Sequence, residues 1–367
     1  MPFTNSTATI LKPLETSSSI GMFARDTGGC LIARLSLART KEEAKEITFA
    51  ETTESAIFYF SAPALAKTTS KLFSKIYGLK KDEFTTPLKN LKNIDSNTLK
   101  KIKLAKFNQI AATFGIVLPF VYGIAPTRNL LTLADSGKNK FTTLVGLENK
   151  KDEKQKEKAK NKAKNLIKKL SLISISALAL AGIISLGAKN KKIYDKIEPF
   201  IDKFDKLFEF SSDNDLKLSH YAALIYPFSI AGYLSASRDK YERNENIRRF
   251  SITVPLLFLG EKIIQNPIYK FFDKHFKTNV FNNGNIKSYK EILKIPDYKQ
   301  KNYLKSKNFS YGLTFLTNTI LIAAAVALLN RFETKRKYLK DNKKQISFNK
   351  PMGVEEYKKL LKTKSFN

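Results

Sequence analysis

Long uncharged blocks alternate with lysine-rich stretches along this chain. Four of the blocks, 107–127, 170–188, 218–237 and 309–330, contain no charged residue. A helix of that length crosses a hydrocarbon core of about 30 Å, because each residue adds about 1.5 Å. The pattern therefore predicts four membrane-spanning helices.

Two shorter uncharged blocks, 55–66 and 250–260, leave the number of spans open. Blocks of this length also fit a core helix, an interfacial helix or a re-entrant segment. However, Thr40 and Glu43 form a capping-box pattern, from which a helix would run through Ile47 into the first short block. We therefore favour an all-α, polytopic helical membrane protein with six spanning helices, four of which the sequence specifies directly.

The blocks and the charged stretches between them predict a linear organisation in six parts. These are an N-terminal juxtamembrane segment (1–46), a first helix pair with a basic loop (47–147), a lysine-rich charged helix (148–169), a second helix pair (170–237), a third helix pair with a basic loop (238–330) and a basic C-terminal tail (331–367). Short similar phrases, Lys-Ile-Tyr at 75–77 and at 192–194 and Pro-Ile-Tyr-Lys at 267–270, leave a threefold repeat of helix pairs open.

The charge distribution gives an orientation. The 367 residues carry a net charge of +32, and the segment 150–169 has ten lysines against three acidic residues. Basic residues next to a span favour the cytoplasmic side, so the helix over 170–188 leaves the cytoplasm and 218–237 returns. Six spans place both termini in the cytoplasm. The lysine-rich usage and the absence of an evident signal peptide favour a bacterial cytoplasmic membrane.

The residue types needed for catalysis are scarce. The chain has one Cys and two His, and its Asp-Thr-Gly tripeptide at 26–28 occurs once, whereas aspartic-protease chemistry needs two such loops. It has no glycine-rich phosphate loop and no set of His and Cys residues at metal-ligand spacing. We therefore expect a protein that is not an enzyme and has neither a cofactor nor a metal site.

Polar residues at membrane depth are candidate functional residues, because each ionisable group costs about 2.5–3.5 kcal/mol to insert. The alternative is that these residues mark the ends of segments and lie in water or among headgroups. The candidates are Glu51, Glu54, His220, Glu261, Lys262 and Asn318. Prolines 63, 119, 227 and 255 predict kinks or unwound turns in four of the blocks.

Small residues predict a helix-packing face in the block 170–188. Ala177, Ala181 and Ser185 recur at four-residue intervals and therefore share one side of a helix. Small side chains at this spacing let two helix backbones approach closely inside a membrane.

The lysine-rich segment predicts a surface that contacts anionic lipid headgroups. Lys154, Lys158 and Lys162 share one stripe of a helix, Lys168 and Lys169 adjoin the membrane, and Asp152 and Lys156 are spaced for an ion pair. Each lysine near an anionic leaflet contributes about 1 kcal/mol of attraction. The alternative is a solvated helix that only enforces topology. We do not expect nucleic acid as a partner, because arginine is scarce and no binding module is evident.

Two functions remain compatible with these features. The first is a non-enzymatic membrane scaffold or anionic-lipid-associated protein, acting alone, as a homo-oligomer or with protein partners. The second is a transporter of small solutes or ions built from three two-helix units, for which the prolines and Glu261 are the motivating features.

Overall fold

The computed structural model describes residues 23–86, 91, 94–149, 151–187, 190–207, 218–282 and 285–348. It is 85% helix and 1% strand, so the all-α prediction is confirmed. The helices of the first half are α1 (π-helical Ala24–Gly29, then Cys30–Ser36), α2 (Lys41–Ser55, π-helical Ala56–Ser61, then Ala62–Tyr77), α3 (Lys81–Thr85), α4 (Ser96–Ser136), α5 (Phe141–Leu144) and α6 (Glu153–Gly187).

The second half also contains long helices that are interrupted by π-helical turns. Its helices are α7 (Lys191–Leu207), α8 (Leu218–Ser235), α9 (Lys240–Gly260, π-helical Glu261–Gln265, then Asn266–Phe276), α10 (Tyr289–Ile292) and α11 (Asp297–Asn318, π-helical Thr319–Ala325, then Val326–Phe348). A two-residue antiparallel hairpin, β1 (Phe281–Asn282) with β2 (Asn285–Ile286), lies between α9 and α10.

Helix α2 begins where the capping pattern predicts. The Thr40 hydroxyl accepts a hydrogen bond from the Glu43 backbone N–H at 3.1 Å, and the helix continues through Ile47 into the first short block. The second hydrogen bond of the predicted capping box differs. The Glu43 carboxylate accepts a hydrogen bond from the backbone N–H of Arg39 at 2.5 Å. Glu43 is thereby directed towards a guanidinium, whose role is described below.

The prolines do not unwind their helices. Helix α4 runs unbroken through Pro119 and Pro126, and α8 and α9 contain Pro227 and Pro255. A proline removes one backbone hydrogen bond, and packing against neighbouring helices holds the axis in place. Pro63 lies two residues after the π-helical turn Ala56–Ser61, and α2 continues through it to Tyr77.

Helix α4 is the central element of the first half. The Gln109 amide donates to the Ala66 carbonyl of α2 at 3.1 Å, and the Thr69 and Thr113 hydroxyls are 2.9 Å apart. On another side, the Ser174 hydroxyl of α6 donates to the Ile116 carbonyl at 3.1 Å. The main apolar core lies between α2, α4 and α8. It contains Phe58, Tyr59, Ala62, Ala66, Ile110, Phe114, Val117, Val121 and Ile225.

A second core lies around the β-hairpin. Tyr269, Leu304 and their neighbours pack beneath it. Asp273 of α9 organises this region, because its carboxylate accepts hydrogen bonds from Val280 and Phe281 backbone N–H groups and from the Thr278 and Ser306 hydroxyls at 2.6–3.0 Å. The third helix pair is thus closed by a folded loop.

Three helices in the described part of the chain are long and apolar enough to cross a membrane: Ser96–Ser136, Glu153–Ile184 and Asp297–Asn342. A shorter apolar helix covers Ala223–Ser235. The apolar windows of the second and third are only 17% and 19% buried, and side chains such as Leu172 and Ile183 are each 64% exposed. Apolar surface of this extent is unfavourable in water, so these faces indicate a membrane location.

Candidate functional site

Two helix starts carry the same arrangement of one arginine and one glutamate. Arg39 precedes α2 and donates from Nε to Glu43 at 3.0 Å, and Arg238 precedes α9 and donates from Nε to Glu242 at 3.0 Å. Each glutamate also accepts the backbone N–H of its arginine, at 2.5 Å and 2.7 Å. A carboxylate is favoured there because the first turn of a helix has free N–H groups and a positive dipole end.

The two starts are joined reciprocally. Arg39 Nη1 donates to Glu245 Oε1 at 2.9 Å, while Arg238 donates to both carboxylate oxygens of Glu46 at 2.7 Å and 2.9 Å. Both guanidiniums lie over the Phe141 ring, at 5.1 Å and 5.9 Å from its centroid. The result is a pseudo-symmetric ion-pair network that joins α2 to α9.

Two further helices contact this network. Arg128 of α4 donates to Glu242 at 2.7 Å and lies 3.3 Å from Glu46. From α11, the Thr334 hydroxyl donates to Glu245 at 2.5 Å. We refer to these residues, Arg39, Glu43, Glu46, Arg128, Arg238, Glu242 and Glu245, as the ion-pair network.

The central members of the network are withdrawn from solvent. The side chains of Arg238, Glu46 and Glu242 are 6%, 5% and 4% exposed. Burial alone would raise the pKa of Glu242, but Arg238 and Arg128 lower it below its usual value. Burial alone would likewise lower the pKa of Arg238, but Glu242 and Glu46 raise it. Glu242 and Arg238 are therefore each held in the charged form by their partners in the network.

A cavity of about 160 Å³ lies directly beside the network. Arg39, Glu43 and Glu245 of the network line it. Its lining also includes Phe58 and Tyr226, which belong to or pack against the core that includes residues 110–121 of α4. The cavity therefore extends from the network to the level of the apolar block 107–127, between α1, α2, α8, α9 and α11.

Charged side chains of both signs line the middle of this cavity. Arg34 of α1 forms an ion pair with Glu51 of α2. Glu54, one turn further along α2, accepts a hydrogen bond from the Ser229 hydroxyl of α8 at 3.2 Å. The guanidinium of Arg249 lies over the rings of Tyr233 and Phe250, 4.5 Å from each centroid.

Two of the sequence-predicted polar residues, Glu51 and Glu54, thus line one cavity. The backbone of the others is helical: His220 in α8, Glu261 and Lys262 in the π-helical turn of α9, and Asn318 at the end of the first part of α11. Their side chains lie outside the described residues, as does that of Ser185.

The predicted packing residues of α6 lie against α4. Ala177 faces Gly115, where the two backbones are so close that a Cβ on Gly115 would overlap the Ala177 side chain. Ala181 is 1% exposed and packs in a cluster that includes Ala105 and Ala112.

The predicted lysine stripe lies on the charged half of α6. Lys154, Lys158, Lys162, Lys168 and Lys169 are exposed, whereas Ala159 and Ala163 on the opposite side are buried. One local prediction is wrong: Lys156 pairs with Glu153 at 3.8 Å and not with Asp152. Asp152 precedes the helix and accepts the backbone N–H of Gln155 at 3.2 Å, so its carboxylate acts as a cap.

The sequence analysis missed the arginines of this site, Arg34, Arg39, Arg238 and Arg249, and the partners of the network. A signal was present, because the pattern Arg-x-x-x-Glu-x-x-Glu occurs at 39–46 and again at 238–245. Its meaning depends on the two copies meeting in space.

Among the described residues, no group of three or more His, Cys, Asp and Glu side chains has the arrangement of a metal site. Comparisons with protein-family models, with curated proteins and with solved structures found no match to this chain.

Proposed function

We propose that this protein is a polytopic membrane transporter that binds a small charged solute within its helical bundle. The observation that carries the proposal is the cavity lined by Arg34, Glu51, Glu54 and Arg249, in which Glu54 and Arg249 directly precede the apolar blocks 55–66 and 250–260. Charged groups that face the interior of a membrane bundle are costly, so a protein retains them where they bind something or relay charge. In this proposal six helices span a bacterial cytoplasmic membrane.

The ion-pair network supports the same function. Its ion pairs join the helix starts of α2 and α9 to α4, a hydrogen bond from the Thr334 hydroxyl joins it to α11, and three of its members line the cavity. In this proposal the ion pairs hold the bundle closed and separate when the helices move. Transport requires this kind of alternation, since the site must face each side of the membrane in turn.

Transport is tested with the full-length protein in liposomes. The vesicles are incubated with an isotope-labelled mixture of small anions, cations and zwitterions, and their contents are identified by mass spectrometry. We expect at least one solute to enter faster than it enters protein-free liposomes, and a Glu54→Gln/Arg249→Gln double variant to remove the difference. Glu157→Gln, at an exposed position of α6, is the matched control. Entry equal to that of protein-free vesicles for every solute would overturn the proposal.

Cys30 gives a second, independent readout. It is the single cysteine of the chain and it lines the cavity. A membrane-impermeant thiol reagent applied from the side of the ion-pair network is expected to modify Cys30, and Arg238→Met to accelerate the modification by weakening the network. A rate unchanged by this substitution would contradict a gating role for the network.

Anionic-lipid association is a second candidate function, favoured by the exposed lysines of α6. Lys154, Lys158 and Lys162 are exposed on the same helix that carries the exposed apolar side chains of Leu172 and Ile183. We expect substitution of the three by glutamine to reduce anionic-lipid retention in native mass spectrometry, since each contributes about 1 kcal/mol. The control replaces Lys299, Lys301 and Lys305, which are exposed on α11. Equal retention by the two triple variants would argue against this function.

A further inference from the structure

The charges around the cavity are not all matched by one another. Arg39 pairs with both Glu43 and Glu245, and Arg34 pairs with Glu51 and also attracts Glu54 electrostatically. Glu54 and Arg249 remain. Among the described residues neither forms an ion pair, since Glu54 accepts from the Ser229 hydroxyl and Arg249 lies over two aromatic rings. Arg331 also lines the cavity, but its side chain is exposed.

We infer that the cavity binds a zwitterionic small molecule of the amino-acid class, with its carboxylate at Arg249 and its ammonium group at Glu54. This inference rests on the proposed function, because it names the class of solute that the transporter carries. Half-buried charges without an ionic partner are unfavourable, and a ligand that brings both opposite charges stabilises both residues at once.

Ligands with a single charge fit this cavity less well. A cation would pair with Glu54 and leave Arg249 without a carboxylate, while an anion would pair with Arg249 and repel Glu54. A guanidinium also binds a carboxylate through two parallel hydrogen bonds, which favours an α-carboxylate over a halide. The two residues come from α2 and α9, so a zwitterion bound between them would connect the same helices that the ion-pair network connects.

The size and remaining lining of the cavity fit a ligand with an uncharged side chain. A cavity of about 150 Å³ accommodates benzene, so about 160 Å³ accommodates a molecule of similar size. Phe58, Tyr59 and Tyr226 supply apolar and aromatic surface, and Ser55 and Thr253 supply hydroxyl groups. An aromatic ring beside an ammonium group adds cation–π attraction.

The decisive measurement is binding to the full-length protein in lipid nanodiscs, by calorimetry. The probes are the uncharged-side-chain amino acids, and for each a matched pair of analogues, one lacking the ammonium group and one lacking the carboxylate. For leucine these are 4-methylpentanoate and isopentylamine. We expect at least one amino acid to bind at least about tenfold more tightly than either of its analogues, which corresponds to about 1.4 kcal/mol.

Two variants assign the charges. Glu54→Gln is expected to abolish the advantage of the amino acid over the analogue that lacks the ammonium group. Arg249→Gln is expected to abolish its advantage over the analogue that lacks the carboxylate. Glu157→Gln and Arg336→Gln, at exposed positions, are the matched controls, and thermal unfolding of each variant verifies that it is folded.

The outcomes separate this inference from the proposed function. Amino acids that bind no better than their analogues would overturn the zwitterion site, even if the liposome experiment reports entry of another solute. Amino-acid binding with the expected variant pattern, but with no entry into liposomes, would establish the site and overturn transport.

Discussion

Arg238 and Glu46 lie 192 residues apart in the chain and form a two-point ion pair, with Nη1–Oε1 and Nη2–Oε2 distances of 2.7 Å and 2.9 Å. Arg39 and Glu245 form the corresponding pair at the other helix start. Each arginine also forms an ion pair with the glutamate four residues later in the chain. Helices α2 and α9 are therefore fixed to each other by two copies of one local pattern.

The first prediction concerns the stability that this pair contributes. Arg238→Met leaves the buried carboxylates of Glu46 and Glu242 without their main partner, and removal of one member of a buried pair costs about 3–5 kcal/mol. Lys240→Met is the control, because Lys240 is 66% exposed in its pair with Asp341 and exposed pairs contribute about 0–1 kcal/mol. Denaturant unfolding in detergent measures both. Equal losses for the two variants would contradict the role given to Arg238.

The second prediction concerns pH. Arg238 and Arg128 overcome the effect of burial and hold the pKa of Glu242 below its ordinary value of 4.5. A carboxylate with a lowered pKa in the folded state stabilises the protein above its unfolded-state pKa, and this stabilisation is lost as the pH falls through the folded-state pKa. The unfolding free energy of the wild type is therefore expected to fall more steeply below about pH 4.5 than that of Glu242→Gln.

The measurement is a series of unfolding curves from neutral pH to about pH 3. The difference in stability between the wild type and Glu242→Gln narrows as the pH falls, because protonation removes the same charge that the substitution removes. Glu157→Gln keeps the wild-type pH profile. If the unfolding free energies of the wild type and Glu242→Gln differ by a constant amount over the whole pH range, Glu242 is not the group whose protonation destabilises the protein.

The third prediction concerns helix packing. Gly232 of α8 lies against the backbone of Tyr122, where an added Cβ would overlap the carbonyl oxygen. We expect Gly232→Ala to destabilise the fold by about 1–3 kcal/mol, the usual effect of overpacking. A Cβ added at Gly182 of α6 would lie in open space, so Gly182→Ala is expected to be neutral or stabilising by up to about 1 kcal/mol. Similar thermal shifts for the two variants would contradict the close contact between α4 and α8.

The fourth prediction concerns the number of spans. In a Cys30→Ser background, single cysteines are placed at Ser96, Ser212, Asn282 and Ser347 and labelled from outside intact cells. Six spans predict labelling at the first three positions and not at Ser347. Labelling at Ser212 alone would leave blocks 55–66 and 250–260 on the inner side of the membrane and would favour the scaffold over the transporter.

Local features of the fold were accessible from the sequence. The blocks 107–127 and 309–330 lie inside helices that are long and apolar enough to cross a membrane, because chain length without charge is a sufficient criterion for such helices. The Thr40 cap was accessible for a similar reason, since it involves residues only three positions apart. The prediction of an Asp152–Lys156 ion pair was wrong because the helix begins at Glu153, one residue after Asp152.

The candidate site was accessible only in part. Glu51 and Glu54 stood out because carboxylates beside an apolar block are costly. Arg34 and Arg249 did not, since Arg34 lies outside the long apolar blocks and Arg249 lies in a stretch that reads as an ordinary charged segment. Their importance comes from α1 and α9, which bring them to the same cavity as the two glutamates.

The sequence by itself determined the helical class, the long apolar helices and the lysine-rich surface, because each depends on residues within a few turns of one another. The tertiary structure alone decided that Arg39 and Arg238 exchange partners, and that Glu54 and Arg249 share a cavity without pairing. Such relations join residues about two hundred positions apart, and hydropathy and spacing do not encode which helices meet. The physical reason is that a buried charge is tolerated only beside its partner, and the packing of the helices selects that partner.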